Sequence, residues 1–252
     1  MISIRGGGTG FPISVMIEGI TVIGSLEDYL PSSAGVQAIG MSQVIMRDCH
    51  VSEVLTGVEL LDNAQAMLIR VTISGGERNL GGTGIDLLAR SQAIVVDSKI
   101  TWFGDGIAAR MWAQIMVLHS TIKHARFGIH ITEDAQAIMR DVLISNTDDG
   151  IIITERAQAR IANCTLVDNG IGVGIFHYGS VTLLENVIAR NRYYGVLVSL
   201  HNPRVWFRGF VMGANNAIPG PDEPNGNGYG AVFPEALGFL TTQIGGVFHK
   251  GT

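Results

Sequence analysis

The sequence predicts an all-β solenoid, a single-domain parallel β-helix with three short strands per coil and about 22 residues per coil. A Gly-Ile pair recurs every 22 residues, and a glutamine follows each glycine by eight residues. The glycines are Gly106, Gly128 and Gly150, and the glutamines are Gln114, Gln136 and Gln158. Short runs rich in Ile and Val alternate with polar residues, which is typical of strands. Self-similarity at such a fixed period indicates stacked coils.

The same register extends over most of the chain and predicts eight or nine coils. The expected opening glycines are Gly35, Gly57, Gly84, Gly106, Gly128, Gly150, Gly174 and Gly195. With about 4.8 Å between paired strands, the coils would form a rod about 40 Å long. The glutamine column also contains Gln43, Gln65 and Gln92, and it predicts a ladder of amides that hydrogen-bond from rung to rung.

Alternation within each coil predicts which side chains point inward. The first and third residues after the glycine are mostly apolar, as in Ile129 and Ile131, so these side chains are expected in the core. The alternation slips between the second and third strands, which predicts a corner with a polar column. Its members are Asp48, Arg70, Asp97, His119, Asp141 and Asn163. Cys49 and Cys164 fall in one inward column five coils apart, too far for a disulfide within one chain.

The predicted domain organisation is a β-helix over residues 1–217, with irregular coils at 1–34, and a turn-rich tail at 218–252. No amphipathic helix precedes the first strands, so the N-terminal end of the rod is expected to be uncapped. The second strand is apolar at both parities, which predicts an outward stripe that includes Met67, Ile94 and Ile138. Either the tail or a partner subunit is expected to cover this stripe.

Composition and charge exclude several classes of protein. Hydrophobic residues make up 46% of the chain and charged residues 15%, as expected when each coil buries an aliphatic stack. The net charge of −5 argues against a nucleic-acid partner or an anionic membrane surface. No apolar run reaches the length of a membrane span, and no signal peptide is recognisable at Met1.

The repeat unit resembles that of the right-handed parallel β-helix proteins, the superfamily of pectate lyase, polygalacturonase and the NosD-like repeat proteins. The resemblance covers about residues 12–217 and depends on units of the form G-I/V-x-I/L, then A/S-Q, then D/N-x-x-I. It implies right-handed coiling and an extracellular or cell-surface location. It is specific for the fold and much less so for function, because one fold hosts many activities.

The outward face of the first strand is polar and carries candidate site residues. Glu59 and Asp86 fall on adjacent rungs, and Arg110 and His130 follow. In pectate-lyase-like enzymes, carboxylates on such a face hold calcium while a basic residue removes a proton next to the sugar carboxylate. The resemblance therefore implies Glu59 and Asp86 as ligands of substrate or of a possible Ca²⁺ ion, and Arg110 or His130 as the base. Calcium takes six to eight oxygen ligands, so two carboxylates are few, and a solvated sheet face is the alternative.

His119 is a third candidate catalytic residue. The corner column places its imidazole between Asp97 and Asp141 on successive rungs, which predicts an acid/base pair, a metal site or a stabilising ladder. Aromatic residues in or near the bends are candidate sugar contacts, although such residues are also common in packing. They are Trp102, Trp112 and Tyr178.

Residues 146–150, Asn-Thr-Asp-Asp-Gly, resemble pieces of the polygalacturonase signature. In that family the pieces come from separate coils, and the Gly-His-Gly and Arg-Ile-Lys companions are absent from this chain. We therefore predict a turn here and no glycosidase site.

Two functional hypotheses follow. The first is a secreted or cell-surface protein that binds, and possibly processes, an extended acidic polysaccharide along one flank. The second is a structural rod that forms homo-oligomers or associates end to end through its N-terminal end and apolar stripe, since heterologous stacking gives open filaments.

Overall fold

The computed structural model describes residues 1–6, 12–24, 34–76, 81–199, 211–214 and 216–233. These residues form 25 strands, and the described part of the chain contains no helix. Each regular coil has a first, a second and a third strand. Bend 1 joins the first strand to the second, bend 2 joins the second to the third, and bend 3 leads into the next coil.

The strands fall into three columns. The first strands are β1 (Ile2–Arg5), β4 (Ala34–Ile39), β7 (Thr56–Leu61), β10 (Thr83–Leu87), β17 (Asp149–Ile153), β20 (Ile171–Phe176), β23 (Tyr194–Ser199) and β25 (Gly230–Phe233). The second strands are β2 (Ile13–Glu18), β5 (Ser42–Arg47), β8 (Gln65–Ile69), β11 (Gln92–Val96), β13 (Gln114–Leu118), β15 (Gln136–Arg140), β18 (Gln158–Ala162), β21 (Ser180–Leu184) and β24 (Val211–Ala214). The third strands are β3 (Thr21–Ile23), β6 (His50–Ser52), β9 (Thr72–Ser74), β16 (Leu143–Ser145), β19 (Thr165–Val167) and β22 (Val187–Ala189). Two long strands, β12 (Lys99–Ala109) and β14 (Thr121–Ile131), each serve as the third strand of one coil and the first strand of the next.

All pairings are parallel, and each strand pairs with its equivalent one coil away. The second strands form a nine-stranded sheet, and the first and third strands form a 16-stranded sheet joined through β12 and β14. The regular part comprises about seven turns of about 22 residues. The predicted fold class, an all-β parallel β-solenoid, is confirmed.

Aliphatic side chains fill the inside of the coils, as the alternation predicts. Ile107, Ile129 and Ile151 stack in register, and all three are fully buried. Cys49 and Cys164 are buried and free, and burial raises the pKa of the Cys164 thiol to about 11. Both cysteines therefore behave as small core residues.

Left-handed backbone conformations make the bends. At bend 2 the predicted polar column, from Asp48 to Asn163, has φ between 48° and 56° in every member. Asn, Asp and His adopt this region more readily than most residues, which explains the polar character of the column.

The opening glycines are required by close approach between coils. A Cβ on Gly128 would lie 2.4 Å from the carbonyl oxygen of Gly150 and 2.6 Å from the Ile144 side chain. The register corrects one predicted position. Ile151 pairs with Val173, so the equivalent of Gly150 is Gly172 and not Gly174. The spacing therefore stays at 22 residues there, and Gly174 lies on an outward column.

The predicted glutamine ladder is in register but faces solvent. Gln43 pairs with Gln65, and the column continues through Gln158 with every glutamine exposed. The exposed glutamines therefore leave no buried amide partners in this column. Buried ladders are made by asparagines instead, which donate to and accept from the neighbouring coils. They are Asn169, Asn191 and Asn227 at bend 3, and Asn186 and Asn216 at bend 2.

Parallel pairing extends across the predicted boundaries at both ends. In the stretch expected to be irregular, β1 pairs with β4 and β2 with β5. In the predicted tail, β25 pairs with β23. The division into a solenoid and a tail at 217/218 stays a prediction, and residues 234–252 lie outside the described residues.

Candidate functional site

The candidate site lies on the outward surface of the first strands, called here the first-strand face. Alternation turns Ile107, Ile129 and Ile151 inward, so the residue after each of them points outward. The residue two places before each isoleucine is also partly exposed, and two of these residues contact the outward His130. One outward column runs Glu59, Asp86, Ala108, His130 and Ile152 in register. The column before it runs Thr83, Asp105, Phe127, Asp149 and Ile171. Polar groups concentrate where these two columns cross β10 to β17.

An ion pair between Asp86 and Arg110 forms the first part of the site. One Arg110 nitrogen, Nη2, lies 2.6 Å and 2.7 Å from the two Asp86 carboxylate oxygens. Ala108 stands between Asp86 and His130 in the outward column. Its small side chain leaves room for Arg110 to reach Asp86. Burial raises the pKa of Asp86 despite the opposing effect of Arg110, and the nearby carboxylates of Glu59 and Asp105 raise it further. Arg110 is therefore held in place, and part of its guanidinium stays at the surface.

A second pair, one coil further on, joins His130 to Asp105. The Nδ1 atom of His130 lies 3.6 Å from Asp105 Oδ2, and both side chains are about one quarter exposed. The Phe127 ring packs against His130 with ring centroids 5.3 Å apart, and Arg126 lies over the same ring at 4.8 Å. This arrangement orients the imidazole, because one nitrogen faces a carboxylate and the ring rests on an aromatic side chain.

Asp149 continues the same column beyond Phe127. Burial raises its pKa to about 6, the charge of Asp148 adds to this effect, and Arg126 opposes it. Asp149 also lines a groove of about 600 Å³ together with Asp168, Arg190, Arg192 and Tyr193, among others. The predicted turn at 146–150 ends two residues early, at Asp148, since Asp149 is the first residue of β17.

The other predicted site residues lie at the bends. Trp102, at bend 3, stacks on His124 with ring centroids 4.2 Å apart and an angle of 9° between the planes. Trp112 and Tyr178 are exposed at bend 1. Bends 3 and 1 are the two edges of the first-strand face, so the structure places these aromatic residues along its borders.

His119 is separated from the other candidates. It lies at bend 2, its Nδ1 atom is 3.5 Å from Asp141 Oδ2, and Arg140 shares the same carboxylate. Among the ion pairs of the described residues, Asp97 does not contact His119, so the predicted flanking by two carboxylates is reduced to one. Bend 2 does not border the first-strand face, and His119 is therefore not brought to Arg110 and His130.

The donor set does not fit a calcium ion at Glu59 and Asp86. Both Asp86 oxygens contact Arg110, and Glu59 Oε2 accepts a 2.6 Å hydrogen bond from Gln37 Nε2. Among the described residues no three His, Cys, Asp or Glu side chains converge as metal ligands. Oxygen ligands in the number that calcium requires are not assembled here.

Sequence reasoning missed Asp105, Phe127 and Asp149 as parts of the face. All three stand immediately before a repeat glycine, outside the alternating residues that follow it. Strict alternation predicts that a residue two places before an inward isoleucine also points inward. The three side chains are partly exposed instead, so the local pattern did not reveal them.

The outward surface of the second strands, called here the second-strand face, has a different character. Its central column is apolar and exposed in several coils, as the predicted stripe requires. Met16, Met67, Ile94 and Ile138 are 60%, 37%, 36% and 44% exposed, respectively. The glutamine column runs beside it.

A family model described as "Right handed beta helix region" matches residues 56–211. The chain belongs to this family. The family is right-handed, which agrees with the coiling that the resemblance implies. A search of curated proteins finds no match to the chain. The described residues contain no apolar helix long enough to cross a membrane.

Several solved structures share the fold of this β-helix protein. The periplasmic alginate epimerase AlgG is 12% identical with a TM-score of 0.57, over 78% of this chain and 58% of the epimerase. A double mutant of AlgG aligns over 87% of this chain and 66% of its own, with a TM-score of 0.62 and 12% identity. Pectate lyase Pel9A is 11% identical with a TM-score of 0.52, over 99% of this chain and 74% of the lyase. At such low identity these likenesses establish the fold alone.

Proposed function

We propose that this β-helix protein binds an extended acidic polysaccharide along its first-strand face, outside the cell or at its surface. The observation that carries the proposal is the pairing of Asp86 with Arg110 and of His130 with Asp105 on neighbouring coils. A guanidinium and an imidazole fixed on a rigid sheet, beside the aromatic ring of Phe127, suit a chain that repeats a carboxylate and an apolar sugar face. Solved neighbours named for alginate and pectate support this substrate class, and the periplasmic epimerase supports the location.

Within this proposal His130 is the better candidate for a proton acceptor. Arg110 is unsuited to that role because a guanidinium stays protonated in proteins. His130 turns Nδ1 toward Asp105, which leaves Nε2 free to accept a proton from a carbon next to a sugar carboxylate. Arg110 would then bind that carboxylate. Processing by proton abstraction is the reaction that this pair of groups supports.

Calorimetric titration with pectate and alginate oligosaccharides tests the binding. We expect His130→Gln and Phe127→Ala to weaken binding about tenfold or more, because each removes a direct contact. Gln136→Ala, an exposed change on the second-strand face, serves as the matched control and should bind as the wild type does. Failure of the wild type to bind either oligosaccharide would refute the proposal.

Processing is tested separately with the same ligands. An unsaturated product, seen by ultraviolet absorbance, would indicate a lyase, and solvent deuterium entering the sugar carbon next to the carboxylate would indicate an epimerase. Loss of either signal in His130→Gln at oligosaccharide concentrations that saturate this variant would support His130 as the acceptor. An active His130→Gln variant would exclude it.

A second candidate function is self-assembly through the second-strand face. The exposed column of Met67, Ile94 and Ile138 favours it, since contiguous apolar patches usually mark contact surfaces. Light scattering over a concentration series should show association that Ile94→Lys abolishes. A constant monomer mass at all concentrations would argue against assembly.

A further inference from the structure

A groove lies beside bend 3, on the coils of β17, β20 and β23, and the proposed function assigns no role to the residues that line it. Asp148, Asp149, Asp168, Arg190, Arg192 and Tyr193 line it, and its volume is about 600 Å³. We propose that this groove is a binding subsite for one acidic sugar unit of the same polysaccharide, with Tyr193 as the stacking surface and Arg192 as the cation. This inference rests on the proposed function.

The groove continues the polar strip along the rod axis. Asp105, Phe127 and Asp149 occupy one column on successive rungs, so Asp149 stands one rung beyond the ring that packs on His130. At about 4.8 Å per rung, the groove begins about 10 Å from Asp105. One extended chain could therefore contact both places.

Buried side chains hold the groove rigid from below. Thr147 Oγ1 donates to Asn169 Oδ1 at 2.8 Å, and Asn191 Oδ1 accepts a 3.1 Å hydrogen bond from the Asn169 backbone. These inward residues alternate with the outward ones that line the groove. Asn191 thus fixes the backbone between Arg190 and Arg192, and the binding groups need little reordering on contact with a ligand.

The charges and rings of the groove fit an acidic sugar. Arg190 makes a bidentate pair with Asp168, whereas Arg192 enters no ion pair among the described residues and lies 5.9 Å from the Tyr193 ring centre. Tyr193 in turn contacts Tyr229, with ring centroids 5.4 Å apart. A guanidinium that has no ion-pair partner in the described part of the chain, beside an exposed aromatic ring, can bind a carboxylate while the ring covers the apolar face of the sugar.

Asp149 makes this subsite sensitive to pH. Its carboxyl is uncharged below about pH 6, and the charged groups that face it are then Asp148, Arg126, the Asp168–Arg190 pair and Arg192. Ionisation of Asp149 adds a negative charge beside the anionic ligand. Affinity for an acidic sugar chain should therefore fall as the pH rises through about 6.

Calorimetric titration with pectate oligosaccharides at about pH 5 and about pH 8 tests the subsite. We expect Arg192→Gln and Tyr193→Ala each to reduce affinity about tenfold, with an unchanged circular dichroism spectrum. Asp149→Asn should bind as the wild type does at the lower pH and about threefold to tenfold more tightly at the higher pH. Asp148→Asn removes the neighbouring charge that helps to raise the pKa of Asp149, so in this variant the fall in affinity should begin at a lower pH than in the wild type.

His124 and His130 are present in both Asp149→Asn and the wild type, so the comparison of the two proteins at each pH isolates the contribution of Asp149. If the wild type binds and His130→Gln weakens binding while the Arg192 and Tyr193 variants do not, the subsite is refuted and the proposed function stands. If the wild type binds no acidic oligosaccharide at either pH, both are refuted.

Discussion

The first-strand and second-strand faces are built on the same period, yet they differ in chemistry. Both turn aliphatic residues inward and pair in parallel with the same spacing. The first-strand face changes identity from coil to coil, from Asp86 to Ala108 to His130. The second-strand face repeats itself, with a glutamine in one column and mostly an aliphatic side chain in the next. Variation on one face of a repetitive scaffold is where a specific site is expected, and uniformity is expected of a packing or assembly surface.

The largest expected effect is the loss of stability when a charge is placed inside the solenoid and not on its outer surface. Ile129 is fully buried in the stack of the first strands, so Ile129→Asp would bury an unpaired carboxylate. We expect a loss of more than about 4 kcal/mol in the free energy of unfolding, enough to disrupt the central coils. Thermal unfolding followed by circular dichroism measures this.

The matched control is Ile138→Asp on the exposed column of the second-strand face. Its effect on stability should stay within about 0.5 kcal/mol if that face is open to solvent in the monomer. A large loss in both variants would mean that another part of the chain or another copy covers the second-strand face.

The second prediction concerns the glycine at the start of each first strand. A first strand opens with a glycine, and a Cβ on Gly128 would meet the backbone oxygen of Gly150 at 2.4 Å. Gly128→Ala should therefore cost about 3 kcal/mol, since backbone cannot move aside as a side chain could. Chemical denaturation measures the loss. Gly81→Ala, where no atom of the described residues lies within 4 Å of the added Cβ, should be nearly neutral.

The period and the inward residues follow from the sequence, because alternation and glycine spacing are local signals. The repetition of an amide residue from coil to coil does not predict whether its side chain points into the core or into solvent. The exposed glutamines and the buried Asn169 and Asn191 all recur by coil, and only the parity of each bend decides their direction. The candidate site was partly predicted, through Asp86, Arg110 and His130. Its pairings depend on side chains that reach across coils, as Arg110 does past Ala108, and no local pattern encodes that reach.

The third prediction compares these two amide columns directly. The Asn191 side chain donates to Leu166 and Asn227 and accepts from the Asn169 backbone, all in the core. Asn191→Ala would leave these partners unsatisfied, and we expect a loss of about 2 kcal/mol. Gln136→Ala should change stability by less than about 0.5 kcal/mol, because its side chain is in water. Equal losses in a urea unfolding series would contradict the assigned directions of the two columns.

The smallest expected effect is the pH dependence that Asp149 gives to the stability of the first-strand face. The pKa of Asp149 is raised to about 6, so the folded protein holds this proton more tightly than the unfolded chain does. The stability contribution of this group is therefore highest below about pH 4 and falls as the pH rises to about 6. After allowance for partial exposure, the loss is about 1 kcal/mol.

Asp149→Asn removes this loss, so the variant should exceed the wild type in stability by about 1 kcal/mol above pH 6 and match it near pH 4. The surface pairs of Asp48, Asp134 and Asp168 act in the opposite direction, because hydrogen bonds from arginines lower the pKa values of these carboxyls. Their stabilisation is lost as the pH falls, in variant and wild type alike, so it cancels in the difference between the two melting curves. A difference that is constant with pH would mean that Asp149 is already ionised across the whole range. Ionisation of Asp149 would then not change the affinity of the groove for an acidic sugar between about pH 5 and about pH 8.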